Sequence, residues 1–293
     1  MPMDSDWMVW HKNPRQPRFK PPAGSVDAHC HIFGPEDQFP YANERKYTPC
    51  TGSKAQLFAL RDMLGISRNV IVQASCHGSD NSALIDGLNS SEDSARGIAV
   101  VDDTVSNDAL QQMNTAGVRG VRFNFVRRLV DPKPYEYYER IIEKIEPLGW
   151  HIIVYMEAAD FADQLPFLES LPVTVVFDHM ARPDVTKGIN HGDFTQFLNL
   201  MENEKYWSKV SCPERLTQQG GNHENYSDVI PYMKKLVDTY TDRVLWGTDW
   251  PHPNMKSHVP DDGQLVELIP LIADTEDKQH KLLVENPTRL YWP

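Results

Sequence analysis

One carboxylate, four histidines and a few arginines stand out in this chain by type and spacing. His29 and His31 lie two residues apart in a strand-like run, so their side chains leave the same face and can reach one atom. The competing reading is two unrelated hydrogen-bonding histidines. Asp249 follows Gly247-Thr248 and precedes Trp250-Pro251-His252-Pro253. A carboxylate beside indole and proline rings is partly desolvated; burial raises its pKa and neighbouring cations lower it. The competing reading is an acid that caps the next helix. His179, after Phe177-Asp178, is either a third site histidine or a satisfied core residue. His77, after Ser75-Cys76, either meets a ligand or orders its loop.

The arginines matter because the chain is acidic, with net charge −12 over 293 residues and a pI near 5.3. Such a surface repels nucleic acid and anionic membranes, which are not expected partners. An anionic small substrate would need positive charge concentrated at its site. Arg122 alternates with Val121 and Phe123 on a strand. If those two face the helices, Arg122 points into the barrel. A buried guanidinium needs anionic or hydrogen-bonding partners. These are either Asp or Glu side chains, or a substrate carboxylate gripped by the planar fork. Arg128 and Arg215 sit just beyond strand ends, where loop arginines reach a ligand; Arg127 reads as a solvated neighbour.

Eight β-type runs position these residues: Ser25–His31, Asn69–Ala74, Arg96–Val101, Val118–Phe125, His151–Glu157, Val173–His179, Trp207–Cys212 and Arg243–Asp249. Several are nearly continuous in Val, Ile and Phe, as strands buried on both faces are. Between them, Ser53–Leu64, Ala83–Asn89, Asn107–Asn114, Tyr135–Glu146, Phe161–Leu168, Phe194–Glu202 and Ser227–Thr239 show helical spacing of apolar residues. This alternation predicts an α/β fold, a single-domain (β/α)8 TIM-type barrel over residues 23–293. Residues 1–22 read as an extended, proline-rich arm. Polar residues gather at the strand C-terminal ends, the face where such barrels carry out catalysis.

Other chemistries are excluded by their missing motifs: there is no GxSxG elbow, Gly-rich phosphate loop or HExxH. Cys30, Cys50, Cys76 and Cys212 form no CxxC pair, which fits a reducing compartment. Cys30 points away from its flanking histidines and is rejected as a nucleophile. No signal peptide or membrane span is read, so a soluble cytoplasmic protein is expected.

The His-x-His pair, His179 and Asp249 together resemble the amidohydrolase superfamily, whose members bind divalent metals with further ligands on strands four and five. Here strand four offers Arg122 and Asn124 and strand five Tyr155, which are poor ligands. His29, His31 and Asp249 could hold zinc in an open site, but the added arginine charge argues against a dication. No metal or other cofactor is expected.

Longer runs narrow the resemblance. Val26-Asp27-Ala28-His29-Cys30-His31-Ile32-Phe33-Gly34-Pro35, Val72-Gln73-Ala74-Ser75-Cys76-His77-Gly78, Arg122-Phe123-Asn124-Phe125 and Trp246-Gly247-Thr248-Asp249-Trp250-Pro251-His252-Pro253-Asn254-Met255 are similar to the 2-pyrone-4,6-dicarboxylate lactonase family, from about Pro21 to Trp292. The resemblance implies metal-independent hydrolysis of an anionic dicarboxylate lactone to 4-oxalomesaconate, in breakdown of lignin-derived aromatics by protocatechuate 4,5-cleavage. It implies Asp249 as the base, and His29, His31 and His179 as polarisers of the lactone carbonyl. Arg122, Arg128 and Arg215 would hold carboxylates, with Tyr47, Ser75, Tyr155, Asn254 and His77 completing the pocket. The histidines and arginines would together supply the positive charge that a metal brings elsewhere. The competing readings are a hydrolase of a sulfo- or carboxymuconolactone, a metal-dependent decarboxylase of the same superfamily, and a non-catalytic carboxylate-binding barrel.

Overall fold

The computed structural model describes residues 3–220 and 226–293. Eight parallel strands follow one another in sequence order: β1 Val26–Cys30, β2 Arg68–Val72, β3 Ala95–Ala99, β4 Val118–Asn124, β5 His151–Tyr155, β6 Val175–Phe177, β7 Tyr206–Ser211 and β8 Val244–Gly247. Each expected run overlaps one of them, with β2, β3 and β7 beginning one residue earlier than expected. Helices α1 Lys54–Leu64, α2 Ser82–Asn89, α3 Asn107–Ala116, α4 Tyr135–Ile145, α5 Phe161–Ser170, α6 Gly192–Met201, α7 Pro213–Leu216 and α8 Ile230–Thr239 return the chain along the outside. This is the (β/α)8 barrel.

Strand residues divide by period two. Val70, Val72, Ile98, Ile153, Val176, Trp207 and Leu245 share an inner cluster. Ile71, Val121, Phe123, Ile152, Val154 and Val210 pack outward in the cluster shared with the helices. Arg122, between Val121 and Phe123, therefore points inward. Cys30 packs in the outer cluster with Leu57 and Ile71, away from the barrel axis.

β8 meets β1 through Asp27, whose carboxylate accepts from Thr248 N–H at 3.0 Å and Thr248 Oγ1–H at 2.7 Å. The Asp249 N–H donates to His29 O at 2.8 Å. Gly247 permits this approach, because a Cβ there would lie 2.6 Å from His29 N. The seam thus sets His29 and His31 of the first strand beside Asp249 after the last.

After β8 the chain breaks into short helices, Asp262–Glu267, Ile269–Ile272 and later pieces, rather than one long return. Residues 3–22 hold no helix or strand. Residues 4–8 meet the site-side loops, with Asp4 N–H on Thr48 O at 3.1 Å, Met8 N–H on Met255 O at 2.8 Å and Trp7 5.1 Å from the Tyr47 ring, and Arg15 and Phe19 then bond Asp261 and Glu267. Among the described residues, no helix is long and apolar enough to cross a membrane.

Candidate active site

The C-terminal ends of β1, β6, β7 and β8 bring five groups together: His29, His31, His179, Arg215 and Asp249. Asp249 Oδ1 lies 3.1 Å from His31 Nε2, 3.4 Å from His29 Nε2 and 3.8 Å from His179 Nε2. Its other oxygen, Oδ2, accepts from Arg215 Nε at 2.9 Å and Nη2 at 2.6 Å. Asp249 is 3% exposed and adopts a left-handed φ of 64°, strain that turns its carboxyl toward this cluster.

Ring protons follow from the partners. His31 Nδ1 faces Val72 O at 2.7 Å and so carries a proton. His29 Nδ1 lies 2.9 Å from Lys209 Nζ, a donor, and 3.0 Å from Asp178 Oδ1, an acceptor, and its Nε2 lies 3.3 Å from His31 Nε2. His179 Nδ1 pairs with Ser211 Oγ at 2.8 Å.

Beneath lies a fully buried ionic layer. Asp178 Oδ2 accepts from Arg122 Nε at 2.8 Å, and Asp178 Oδ1 lies 3.0 Å from His29 Nδ1 and 3.2 Å from Lys209 Nζ. Arg122 thus has a protein carboxylate as partner. Among the described residues its terminal nitrogens make no further hydrogen bond, and its guanidinium stacks 4.6 Å from the Tyr155 ring.

Charge is distributed unevenly. Burial pushes the Asp249 carboxyl up, but Arg215, then His31 and His179, outweigh it and hold it well below the carboxylate range. Burial likewise opposes ionisation of Asp178, yet His29, Lys209 and Arg122 keep its pKa low. Burial drives His29 down to about 3 and His179 well below its ordinary value. The sequence reading gave the histidines a share of the positive charge. In the fold His29 and His179 are neutral donors or acceptors, and the charge resides on Arg122, Lys209 and Arg215.

The pocket above this cluster is walled by His31, Tyr47, Ser75, Arg122, Tyr155, His179, Arg215, Asp249 and Asn254, with Leu129 and Pro253. It encloses about 20 Å³ and shares Ser75, Arg122 and Leu129 with a cavity of about 340 Å³ beside β4. The larger cavity lacks Asp249 and the three histidines, so the chemistry belongs to the smaller one. His29 lies below the pocket wall. Arg128 lies outside the pocket, exposed and 3.2 Å from Glu157.

His77 departs from its expected substrate-contacting place. Its Nε2 accepts from Gly34 N–H at 3.4 Å, its Nδ1 bonds Pro40 O at 3.2 Å, and its ring packs 4.8 Å from Tyr41. It orders the loop after β1, the other reading of that residue.

Lys209 was absent from the sequence reading. Its signal was the alternation Trp207-Lys209-Ser211, which places a lysine on the inner face of a buried strand. Lys209→Met is expected to lower stability by about 1–3 kcal/mol, because Asp178 and His29 each lose a partner. A denaturant midpoint unchanged from wild type would contradict that.

Stability should peak near pH 6.5. His29 and His151, both held at about 3 by burial, contribute stability that is complete above their unfolded pKa of about 6.5 and is lost as pH falls. Asp27, raised to about 6 by burial, works in the opposite sense over the acid range but is one group against these two and His179. His252, raised to about 10, contributes stability that is complete below about 6.5 and is lost as pH rises. Thermal melts from pH 5 to 8 check the peak; a monotonic trend would contradict it.

The donor atoms of His29, His31 and Asp249 all lie within 4.8 Å of one another, so distance alone would admit a cation there.

Residues 26–292 match the amidohydrolase family. The chain is 57% identical to a 2-pyrone-4,6-dicarboxylate hydrolase of Comamonas testosteroni, covering 98% of this chain and 96% of that protein. It is 34% identical to a 4-sulfomuconolactone hydrolase of Hydrogenophaga intermedia, covering 96% and 92%. Among solved structures, a probable 2-pyrone-4,6-dicarboxylic acid hydrolase of Acinetobacter baumannii, with citric acid bound, superposes with a TM-score of 0.80 at 26% identity, over 92% of this chain and all of that one.

Proposed function

The chain belongs to the amidohydrolase family, and we propose that it is a lactone hydrolase that converts 2-pyrone-4,6-dicarboxylate to 4-oxalomesaconate without a metal. One observation carries the reading beyond the likeness of sequence. An acidic chain places Arg122 and Arg215 in one pocket wall with Asp249, His31 and His179. Two guanidinium groups suit a substrate with two carboxylates. The citric acid bound by the Acinetobacter baumannii relative is also a polycarboxylate.

In this reading Asp249, ionised at neutral pH, takes a proton from water, and the resulting hydroxide attacks the lactone carbonyl carbon. Imidazole N–H groups of the histidine cluster bond the oxyanion as it forms. The intermediate collapses with cleavage of the acyl carbon–ring oxygen bond. The ring oxygen leaves as an enolate and takes the proton back from Asp249. Atoms balance with one water consumed, and ring closure is the same path in reverse. Tyr47, Ser75, Tyr155 and Asn254 shape the pocket, and Arg128 meets a carboxylate only at the rim.

Charge supports the metal-free part of the proposal. Three cations, Arg122, Lys209 and Arg215, already face two carboxylates, Asp178 and Asp249. A dication beside His29, His31 and Asp249 Oδ1 would sit next to the Arg215 guanidinium, which bonds Asp249 Oδ2 twice. The excess positive charge beside this donor set supports the metal-free reading. The proposal extends to a place in protocatechuate 4,5-cleavage, in the cytoplasm.

A lactone panel tests the substrate. The purified protein should turn over 2-pyrone-4,6-dicarboxylate with a higher kcat/KM than 4-sulfomuconolactone or a carboxymuconolactone. A reversed order would move the assignment to the sulfomuconolactone branch, and carbon dioxide release would indicate a decarboxylase.

A further inference from the structure

Behind Arg215 lies a buried ionic array that the mechanism leaves unused. Glu214 precedes Arg215 in α7, and its side chain is fully buried. Neither of its carboxylate oxygens accepts a hydrogen bond among the described residues. The ion-pair contacts of its Oε1 are His252 Nδ1 at 3.5 Å and Arg215 Nε at 3.8 Å. His252 is also fully buried, and its Nε2 lies 3.0 Å from Asp262 Oδ1. Burial opposes charge on His252, but Asp262 and Glu214 outweigh it and lift its pKa to about 10. The order Asp262, His252, Glu214, Arg215, Asp249 alternates in charge from the short helix after β8 to the carboxylate in the pocket.

Arg215 stands between two carboxylates. Asp249 holds it by two short hydrogen bonds, and Glu214 waits behind with no hydrogen bond of its own. A buried carboxylate without a compensating charge is strongly unfavourable. Were His252 neutral, Arg215 would be the cation left within 4 Å of Glu214 among the described residues, and Glu214 would compete with Asp249 for it.

We propose that His252 is a positioning residue, whose imidazolium satisfies Glu214 and so leaves Arg215 on Asp249 and the substrate. This rests on the reading of Asp249 as the base and of Arg215 as a pocket cation. His252 touches no reacting atom; it acts through Glu214 and Arg215.

The test compares lactone turnover by wild type, His252→Gln and the double variant Glu214→Gln with His252→Gln, with a thermal melt of each. Asp262 is retained throughout, so differences report on Glu214. His252→Gln is expected to lower kcat/KM roughly 10–100-fold, the range for groups that act through a site residue. The double variant is expected to recover at least about a third of the wild-type kcat/KM, because the competitor for Arg215 has lost its charge. A merely structural role predicts the opposite, since two buried substitutions would add. His252→Gln within twofold of wild type overturns the proposal. So does a double variant that fails to fold or turns over no faster than the single one. If His252→Gln alone does not fold, the double variant decides by the same criterion. Wild type inactive on every lactone of the panel would instead remove the proposed function, which separates the two failures.

Discussion

Asp249→Asn is expected to lower kcat roughly 10²–10⁴-fold, the range for loss of a general acid–base group. The amide keeps the shape of the carboxyl, so its Oδ1 or Nδ2 still faces the three histidines. It cannot take a proton from water or return one to the leaving oxygen. Arg215 loses the charge it pairs with but keeps Glu214 behind it. KM should change much less than kcat, because the substrate carboxylates meet arginines rather than Asp249. The low pKa of Asp249 bears on this result. Arg215 makes the carboxylate a weak base in the empty pocket. A substrate carboxylate that shares Arg215 would weaken that hold and raise its basicity when the substrate is in place. Turnover by Asp249→Asn close to wild type would remove Asp249 from the chemistry.

Arg122→Leu carries the second large effect, and it acts on two properties at once. Asp178 loses the guanidinium that bonds its Oδ2, and breaking a buried pair by removing one partner costs roughly 3–5 kcal/mol. The pocket also loses the fork whose terminal nitrogens are unbonded, and a hydrogen bond to a charged group contributes about 1.5–3 kcal/mol, or roughly 10–150-fold in KM. Arg122→Lys separates these. An ammonium can still meet Asp178, so stability should largely return, while KM stays high because a point charge does not reproduce bidentate contact. Stability and KM both restored by lysine would show that Arg122 serves only as the counter-charge of Asp178.

Much of this was legible from the residues. The strands were readable because runs such as Val118–Phe125 are buried on both faces, which leaves a continuous apolar pattern with polar tips. The inward placement of Arg122 followed from Val121 and Phe123, which pack outward. The return after β8 was not legible, since Pro260 and Pro270 break it into short helices with no sustained apolar period. Nor was the role of Asp178. Alternation would send Asp178 and His179 to opposite faces, but β6 stops at Phe177 and His179 takes a left-handed φ of 52°, which brings both toward the axis. Lys209 and His252 escaped notice for a shared reason. A lone lysine or histidine reads as solvated unless its counter-charges are known, and Asp178, Glu214 and Asp262 come from other strands and loops. Charge state was likewise hidden, because it depends on burial that only the closed barrel produces.

The most direct test of the account is hydrolysis of 2-pyrone-4,6-dicarboxylate by protein treated with a chelator and analysed for bound metal. The account predicts full turnover at a metal content far below one ion per chain. No turnover of this lactone, or turnover lost to the chelator and regained with zinc, would contradict it.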